Sequence, residues 1–343
     1  MVANKTKEVF FLKDSEINEW LTQGFAQREF AINFMGINNS SQLLMKGRLL
    51  RIAILHFKYI KLAFNSLWKS KNEDIIICFL DVLGLYVFLL SKVLFKKRDI
   101  IVINIMFNDN DSIITRIKLF LYKWMLKSKF VYPTVTSVAL RDTYRKIFNL
   151  PEKYFYLLHD SYGKLEKYKK PYSSGDNYVF CGGTNGRDWN TLVKIASLLP
   201  EIRFVIVGPQ QKTLGVKYPA NIDYYYNISL DRFQDLIKNC SLLALPLNTI
   251  APAGLIVLFT AGLLSKPVIT TDNVAMNEYI TSGENGILVE MGDFEEFATQ
   301  AQRLLYDTKL QQVFGEKLFT KIESIGSPMA FVDRVIDITN ELK

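Results

Sequence analysis

The residues CGGTNGRDWNTL at 181–192 combine three kinds of group that can hold a phosphate. Gly182, Gly183 and Gly186 let backbone N–H groups approach an anion closely, and Thr184 and Asn185 set small polar side chains among them. Arg187 adds a guanidinium that can grip a phosphate through two parallel N–H donors. A glycine-rich turn from strand to helix also brings the positive end of the helix to a pyrophosphate. No Gly-Lys-Ser/Thr follows and the spacing is not G-x-G-x-x-G, so neither common nucleotide fingerprint applies. On this stretch alone, a phosphate cradle and a plain structural turn fit equally well.

The elements around that turn are legible. NYVFCGG (177–183) is a β-rich run ending in glycines, and DWNTLVKIASLL (188–199) has helical spacing. RFVIVG (203–208) and IDYYY (222–226) read as strands, and SLDRFQDLIKNC (229–240) as a Ser-capped amphipathic helix. SLLALPL, GLIVLFTAGLLS, KPVITT and NGILVE continue the alternation, and 292–307 is a helix with acidic residues in its first turn. The first half alternates as well, with KEVFFLK, DIIICFL and DIIVINIMF as strands and 82–96 as a helix. Such alternation, with near-continuous apolar strands, predicts parallel sheets covered on both faces. A chain of 343 residues suits two domains. The expected class is α/β, two Rossmann-like domains in tandem with a cleft between them. Residues 1–172 and 173–325 form the two, KKPYSSGDN (169–177) is the linker, and a helix over 326–343 crosses back to the first.

Residues 246–305 resemble the C-terminal domain of GT-B glycosyltransferases, especially glycosyltransferase family 4. The resemblance is carried by Pro246, Ala253-Gly254, KPVIT (266–270), Glu278, ENGILVE (284–290) and Gly292-Asp293. Residues 227–247 are similar to the family's segment around the nucleobase, and 135–151 more loosely to the segment before its linker. The resemblance implies that 182–187 face the diphosphate of a nucleotide-sugar donor, with Arg187 on the pyrophosphate and Gly208 passing under the base. It also implies that Ala253 and Gly254 place backbone N–H groups at a helix N-terminus near the diphosphate or sugar, and that Glu278 belongs to the same site. Two glutamates of the family fall on Pro252 and Thr260 here, so Thr260 offers ribose at most a neutral hydrogen bond. In the first half, Asp109 stands near where the family places a short turn beside the transferred sugar. It is the candidate to act as a base or orient a sugar hydroxyl, against a solvated turn residue as the plain alternative. Asp14 and Asp81 follow or lie within apolar strands at the same edge, and His159 reads as structural.

Several classes drop out on composition. Three widely spaced cysteines form neither a disulfide framework nor a zinc site, and two histidines leave little for metal chemistry. Asp109-Asn110-Asp111 spells D-x-D, a match too short to imply a metal against the expected fold order. No signal peptide is indicated, and Asp81 and Lys92 interrupt the most apolar stretch, 75–95. Charge is unevenly spread. Residues 1–172 hold 28 Lys and Arg against 15 Asp and Glu, whereas 173–343 hold 14 against 19. Residues 43–71 and 114–130 interleave cations with large apolar side chains and contain no acid, which suits an anionic lipid interface as well as a core-packed helix with a solvated face. No nucleic-acid fold is evident.

The expected function is therefore transfer of a sugar from a UDP- or GDP-sugar to a lipid-linked or other glycan acceptor near a membrane. No metal or other cofactor is expected. The setting would be bacterial surface polysaccharide synthesis, with the protein held peripherally on the cytoplasmic face. The substitutions at Pro252 and Thr260 sustain a second expectation, a non-catalytic partner of the same fold.

Overall fold

The structure is a computed structural model describing residues 7–37, 48–107, 112–151, 154–210, 215, 217–249 and 253–342. It divides into two compact units, residues 1–160 with 328–343, and residues 161–327.

The first unit holds a parallel sheet of β1 (Val9–Lys13), β2 (Asn33–Gly36), β3 (Ile75–Phe79), β4 (Asp99–Ile103), β5 (Val131–Val135) and β6 (Tyr156–Leu157), in the order β2-β1-β3-β4-β5-β6. Strict alternation sorts its side chains. Phe10, Leu12, Ile76, Cys78, Ile100 and Val102 enter one core, while Val9, Phe11, Ile75, Ile77, Ile101 and Ile103 enter the other. The first core is roofed by α2 (Arg48–Lys69), α3 (Asp81–Val93), α4 (Ile113–Leu126) and α5 (Val138–Phe148), the second by α1 (Glu19–Gln27) and the last helix, Pro328–Asn340. That last helix lays Phe331, Val332, Val335 and Ile338 against Leu21 and Phe25 of α1, so the chain's end belongs to the first unit's core. Ser112 and Ser137 cap α4 and α5 by accepting from the N–H groups of Thr115 and Leu140.

The second unit holds β7 (Tyr178–Gly182), β8 (Arg203–Gly208), β9 (Ile222–Tyr226), β10 (Leu242–Leu245), β11 (Val268–Thr271) and β12 (Ile287–Val289), in the order β12-β11-β10-β7-β8-β9, all parallel. One face carries α7 (Leu230–Asn239), α8 (Leu255–Leu263) and α10 (Thr308–Gly326). The other carries α6 (Trp189–Leu198) and α9 (Phe294–Tyr306). The strand order turns between β7 and β10, so the connections leaving these neighbours run to opposite faces. The crevice this opens at their C-terminal ends is where doubly wound sheets take ligands.

Residues 169–177, expected as a linker, are bonded along their length to the second unit. Lys170 donates its N–H to the Leu263 carbonyl at 2.8 Å, Asp176 donates to that of Asn239 at 2.7 Å, and Lys266 donates Nζ to that of Ser173 at 2.8 Å. Lys266 is buried, so its ammonium needs that carbonyl, and a polar, turn-rich sequence becomes a fixed strap.

Candidate functional site

The loop leaving β7 and the loop leaving β10 meet at the crevice. Asp188 N–H donates to the Pro246 carbonyl at 2.9 Å, and Asn248 N–H donates to that of Gly186 at 3.0 Å, so the two loops are laced together. Gly186 has φ +67° and lies so close to Thr249 and Ala253 that a Cβ there would come within 2.5 Å of Thr249 and 2.9 Å of Ala253.

Arg187 sits at the centre. Only 4% of its surface is exposed. Nε donates to the Gly182 carbonyl at 2.8 Å and Nη1 to the Asn185 carbonyl at 3.1 Å. The other guanidinium N–H groups meet no protein acceptor, and no carboxylate pairs with the cation, among the described residues. Burial accordingly pulls its pKa below arginine's ordinary value. A buried, uncompensated guanidinium costs several kcal/mol, and an arriving anion would remove that cost.

The two ends of the guanidinium lie close to two glycines. A Cβ on Gly183, whose φ is +108°, would stand 2.7 Å from Nη2, and one on Gly254, whose φ is +82°, would stand 3.2 Å from Nη1. Gly254 is also the N-cap of α8 and provides no side-chain cap, so the first N–H groups of α8 and their partial positive charge open beside Arg187.

The glycine-rich turn pointed to helix charge at the start of α6, and the resemblance pointed to a helix start at Ala253 and Gly254 as well. The Asp188 carboxylate already caps α6, accepting from Thr191 N–H at 3.0 Å and from its hydroxyl at 2.9 Å. The positive end available to a ligand is that of α8. Asp188 and Thr191 are spaced as a helix cap, a signal present in the sequence but outweighed by the glycines.

The remaining expected positions vary. Gly182, Gly183, Gly186, Arg187, Ala253 and Gly254 converge, and Thr184 and Asn185 lie exposed on the same loop. Glu278 closes a short 3-10 turn, Met276–Glu278, and Met276 lies beside Gly254. A Cβ on Gly208 would stand 2.3 Å from the Tyr224 hydroxyl and 2.9 Å from the Trp189 ring. Thr260 is buried on α8 and donates its hydroxyl to the Ile256 carbonyl at 2.8 Å. Asp109 and Pro252 lie outside the described residues.

The first unit has its own strand-order turn, between β1 and β3, and Asp14 and Asp81 follow these two strands. Asp81 is buried, accepts from Val82 N–H at 2.7 Å and Met106 N–H at 3.1 Å, and has its pKa raised by burial. Leu80 before it takes φ +144°, a strained value for a side-chain-bearing residue. Burial raises Asp14 too, and the Tyr59 hydroxyl, pushed up to about 12 mainly by burial, also feels both carboxylates.

A pairing the sequence did not suggest lies at the ends of β4 and β6. Asn104, at φ +57°, donates Nδ2 to Asp160 at 2.9 Å. Burial pushes the Asp160 carboxyl up to about 6, against the opposing pull of Asn104 and His159. The two residues are 56 positions apart, and only the parallel sheet brings them together. A carboxyl raised in the fold stabilises below its unfolded pKa of about 4, and that stabilisation is lost as pH rises through about 6. Asp160→Asn should therefore raise stability at pH 7.5 by about 1–3 kcal/mol and have little effect at pH 4. Thermal unfolding at the two pH values checks this, and an equal shift at both would contradict it.

Two parallel doubly wound units, the second with a cationic crevice at its strand-order turn, are the GT-B architecture of glycosyltransferases. Residues 177–307 match the family model described as glycosyl transferases group 1, so the resemblance read from the sequence holds over this segment. HepE of Anabaena, solved in complex with UDP, is 13% identical with a TM-score of 0.68 over 97% of this chain and 100% of its own. Sucrose-phosphate synthase from Thermosynechococcus elongatus is 13% identical with a TM-score of 0.75 over 98% of this chain and 99% of its own. The lipopolysaccharide outer core galactosyltransferase WaaB, in its apo form, is 14% identical with a TM-score of 0.60 over 97% and 99%. At such identities the likeness establishes the fold. No curated protein matches the chain in sequence.

Proposed function

We propose that this protein is a glycosyltransferase that binds the diphosphate of a nucleotide-sugar at the crevice between β7 and β10. The observation that carries this reading is Arg187, a buried guanidinium with no acidic partner among the described residues, lying close to Gly183 and to Gly254, which begins α8 without a side-chain cap. Guanidinium and helix N–H groups together would neutralise charge building on the departing diphosphate as the bond to the sugar breaks. That positive charge is fixed in advance, so the proposed step calls for no metal. The family match over 177–307 supports the same reading. HepE has been solved with UDP-glucose, which makes UDP-sugars the first donors to try here. The finer proposal is an acceptor that is lipid-linked or otherwise near a membrane, in bacterial surface polysaccharide synthesis on the cytoplasmic side. The resemblance also implies retention of configuration at the sugar.

The test is a screen of UDP- and GDP-sugars for slow nucleotide release with water as acceptor, repeated with Arg187→Ala. Release from one donor, lost in the variant, is the expected result. A second reading, a non-catalytic partner, draws on Thr260, whose hydroxyl is committed to the helix backbone and leaves ribose without the family's glutamate. It predicts that no donor is turned over by the wild type.

A further inference from the structure

The first unit wears large apolar side chains on the outside of the helices that roof its core. Along α2, Tyr59, Leu62, Ala63 and Leu67 point inward, whereas Phe57, Ile60, Phe64 and Trp68 recur at helical spacing on the solvent side. Trp68 is 72% exposed and stacks on Phe64 with ring centroids 6.0 Å apart. On α4, Ile113, Ile117 and Phe120 form a second outward stripe, with Phe120 at 69% exposure. The C-terminal end of α3 adds Val93 and Phe95. These helices are neighbours in one layer. Lys96, just past α3, lies over the Trp68 ring of α2 at 5.4 Å, and Trp124 of α4 meets Phe88 of α3 edge-on at 5.2 Å.

Apart from the buried Asp81 that begins α3, the charges on the described residues of these three helices have one sign. Residues 48–71, 92–98 and 112–130 contain Lys and Arg but no Asp or Glu. Lys61, Arg116 and Lys127 are exposed beside the apolar stripes. Where the helix layer meets the start of β4, a cavity of about 290 Å³ is lined by Lys92, Phe95, Lys96, Lys97, Ser128 and Phe130. It is a basic, aromatic-walled recess of a size to take a phosphate-bearing headgroup. Among the described residues no helix is long and apolar enough to cross a membrane.

We infer that the outer face of α2, α3 and α4 docks on an anionic phospholipid bilayer, with Phe64, Trp68 and Phe120 entering the acyl boundary and the surrounding cations meeting headgroup phosphates. Two other occupants fit less well. A second copy would bring cation against cation over the same patch. A protein partner would have to cover a surface rich in lysine, the residue type that protein interfaces avoid. Large aromatics among lysines, without acids, are what an anionic lipid interface attracts. The inference names the partner implied by the membrane-proximal acceptor above and rests on that reading for its purpose, though lipid binding can be measured without turnover.

The experiment is co-sedimentation of the full chain with phosphatidylcholine vesicles, with and without about 30 mol% phosphatidylglycerol. The wild type should pellet with the anionic vesicles only, and high salt should release most of it. Lys61→Glu with Arg116→Glu should weaken binding roughly 30-fold or more, and Phe64→Ser with Trp68→Ser at least roughly 10-fold. UDP binding and the thermal transition, followed in each variant, show that fold and second unit are intact. Protein left in the supernatant with anionic vesicles, unchanged binding in folded variants, or a wild-type dimer dissolved by the same substitutions would each overturn the docking inference. Lipid binding with no nucleotide binding would leave the docking intact and remove the donor-site reading.

Discussion

Arg187→Ala is expected to weaken nucleoside diphosphate binding roughly 10- to 150-fold, the loss of about 1.5–3 kcal/mol that accompanies removal of a charge-assisted contact. The same change should leave the ligand-free melting temperature within about 3 °C of wild type. The two expectations together separate a ligand-binding arginine from a structural one. A structural arginine of this burial would hold a carboxylate, and its removal would strand that charge at a cost of about 3–5 kcal/mol. Arg187 has no such partner among the described residues and bonds only the carbonyls of Gly182 and Asn185. Losing those two bonds is offset by no longer burying an unpaired cation. With ligand present the contrast should reverse. A hundredfold excess of UDP over its Kd stabilises the wild type by about 2.7 kcal/mol, and the variant at the same concentration by much less.

Gly183→Ala carries the second large effect. At φ +108° an alanine is strained by about 1–3 kcal/mol, and its Cβ would need the space 2.7 Å from Arg187 Nη2. The guanidinium is the part able to give way. It would turn from the crevice, so UDP binding should fall at least roughly 10-fold while the melting temperature drops by only about 2–6 °C. Calorimetry and thermal unfolding on the same preparation check the pair. Normal affinity with a large loss of stability would mean that Gly183 serves the turn alone.

Much of the second unit was legible because its strands are short apolar runs between well-marked helices, and the two parallel doubly wound units follow from that alternation. The short edge strand β2 and helix α1 were not, since neither presents a strong apolar pattern to read. At the site, the glycine-rich turn, Arg187 and Ala253-Gly254 are visible as residue types. Their convergence depends on β7 and β10 becoming neighbours, which local pattern does not state. Of the two helix starts the sequence offered, that of α6 is taken by the Asp188 cap, a signal the neighbouring glycine run obscures. Thr260 shows the same limit in reverse. As a residue type it could bond a ribose, but on α8 its hydroxyl is held by the Ile256 carbonyl. The raised carboxyl of Asp160 was beyond reach, because burial and a partner 56 residues away set it.

The most direct test of the donor site compares two ligands rather than one. UMP and UDP share base and ribose and differ by the second phosphate, the group Arg187 is proposed to hold. Calorimetric titration of both into wild type and Arg187→Ala isolates that contact as a double difference. A wild type that prefers UDP by 10-fold or more, with the preference largely erased in the variant, is the predicted result. Equal loss of UMP and UDP affinity in the variant, or no binding of either nucleotide by the wild type, would contradict it.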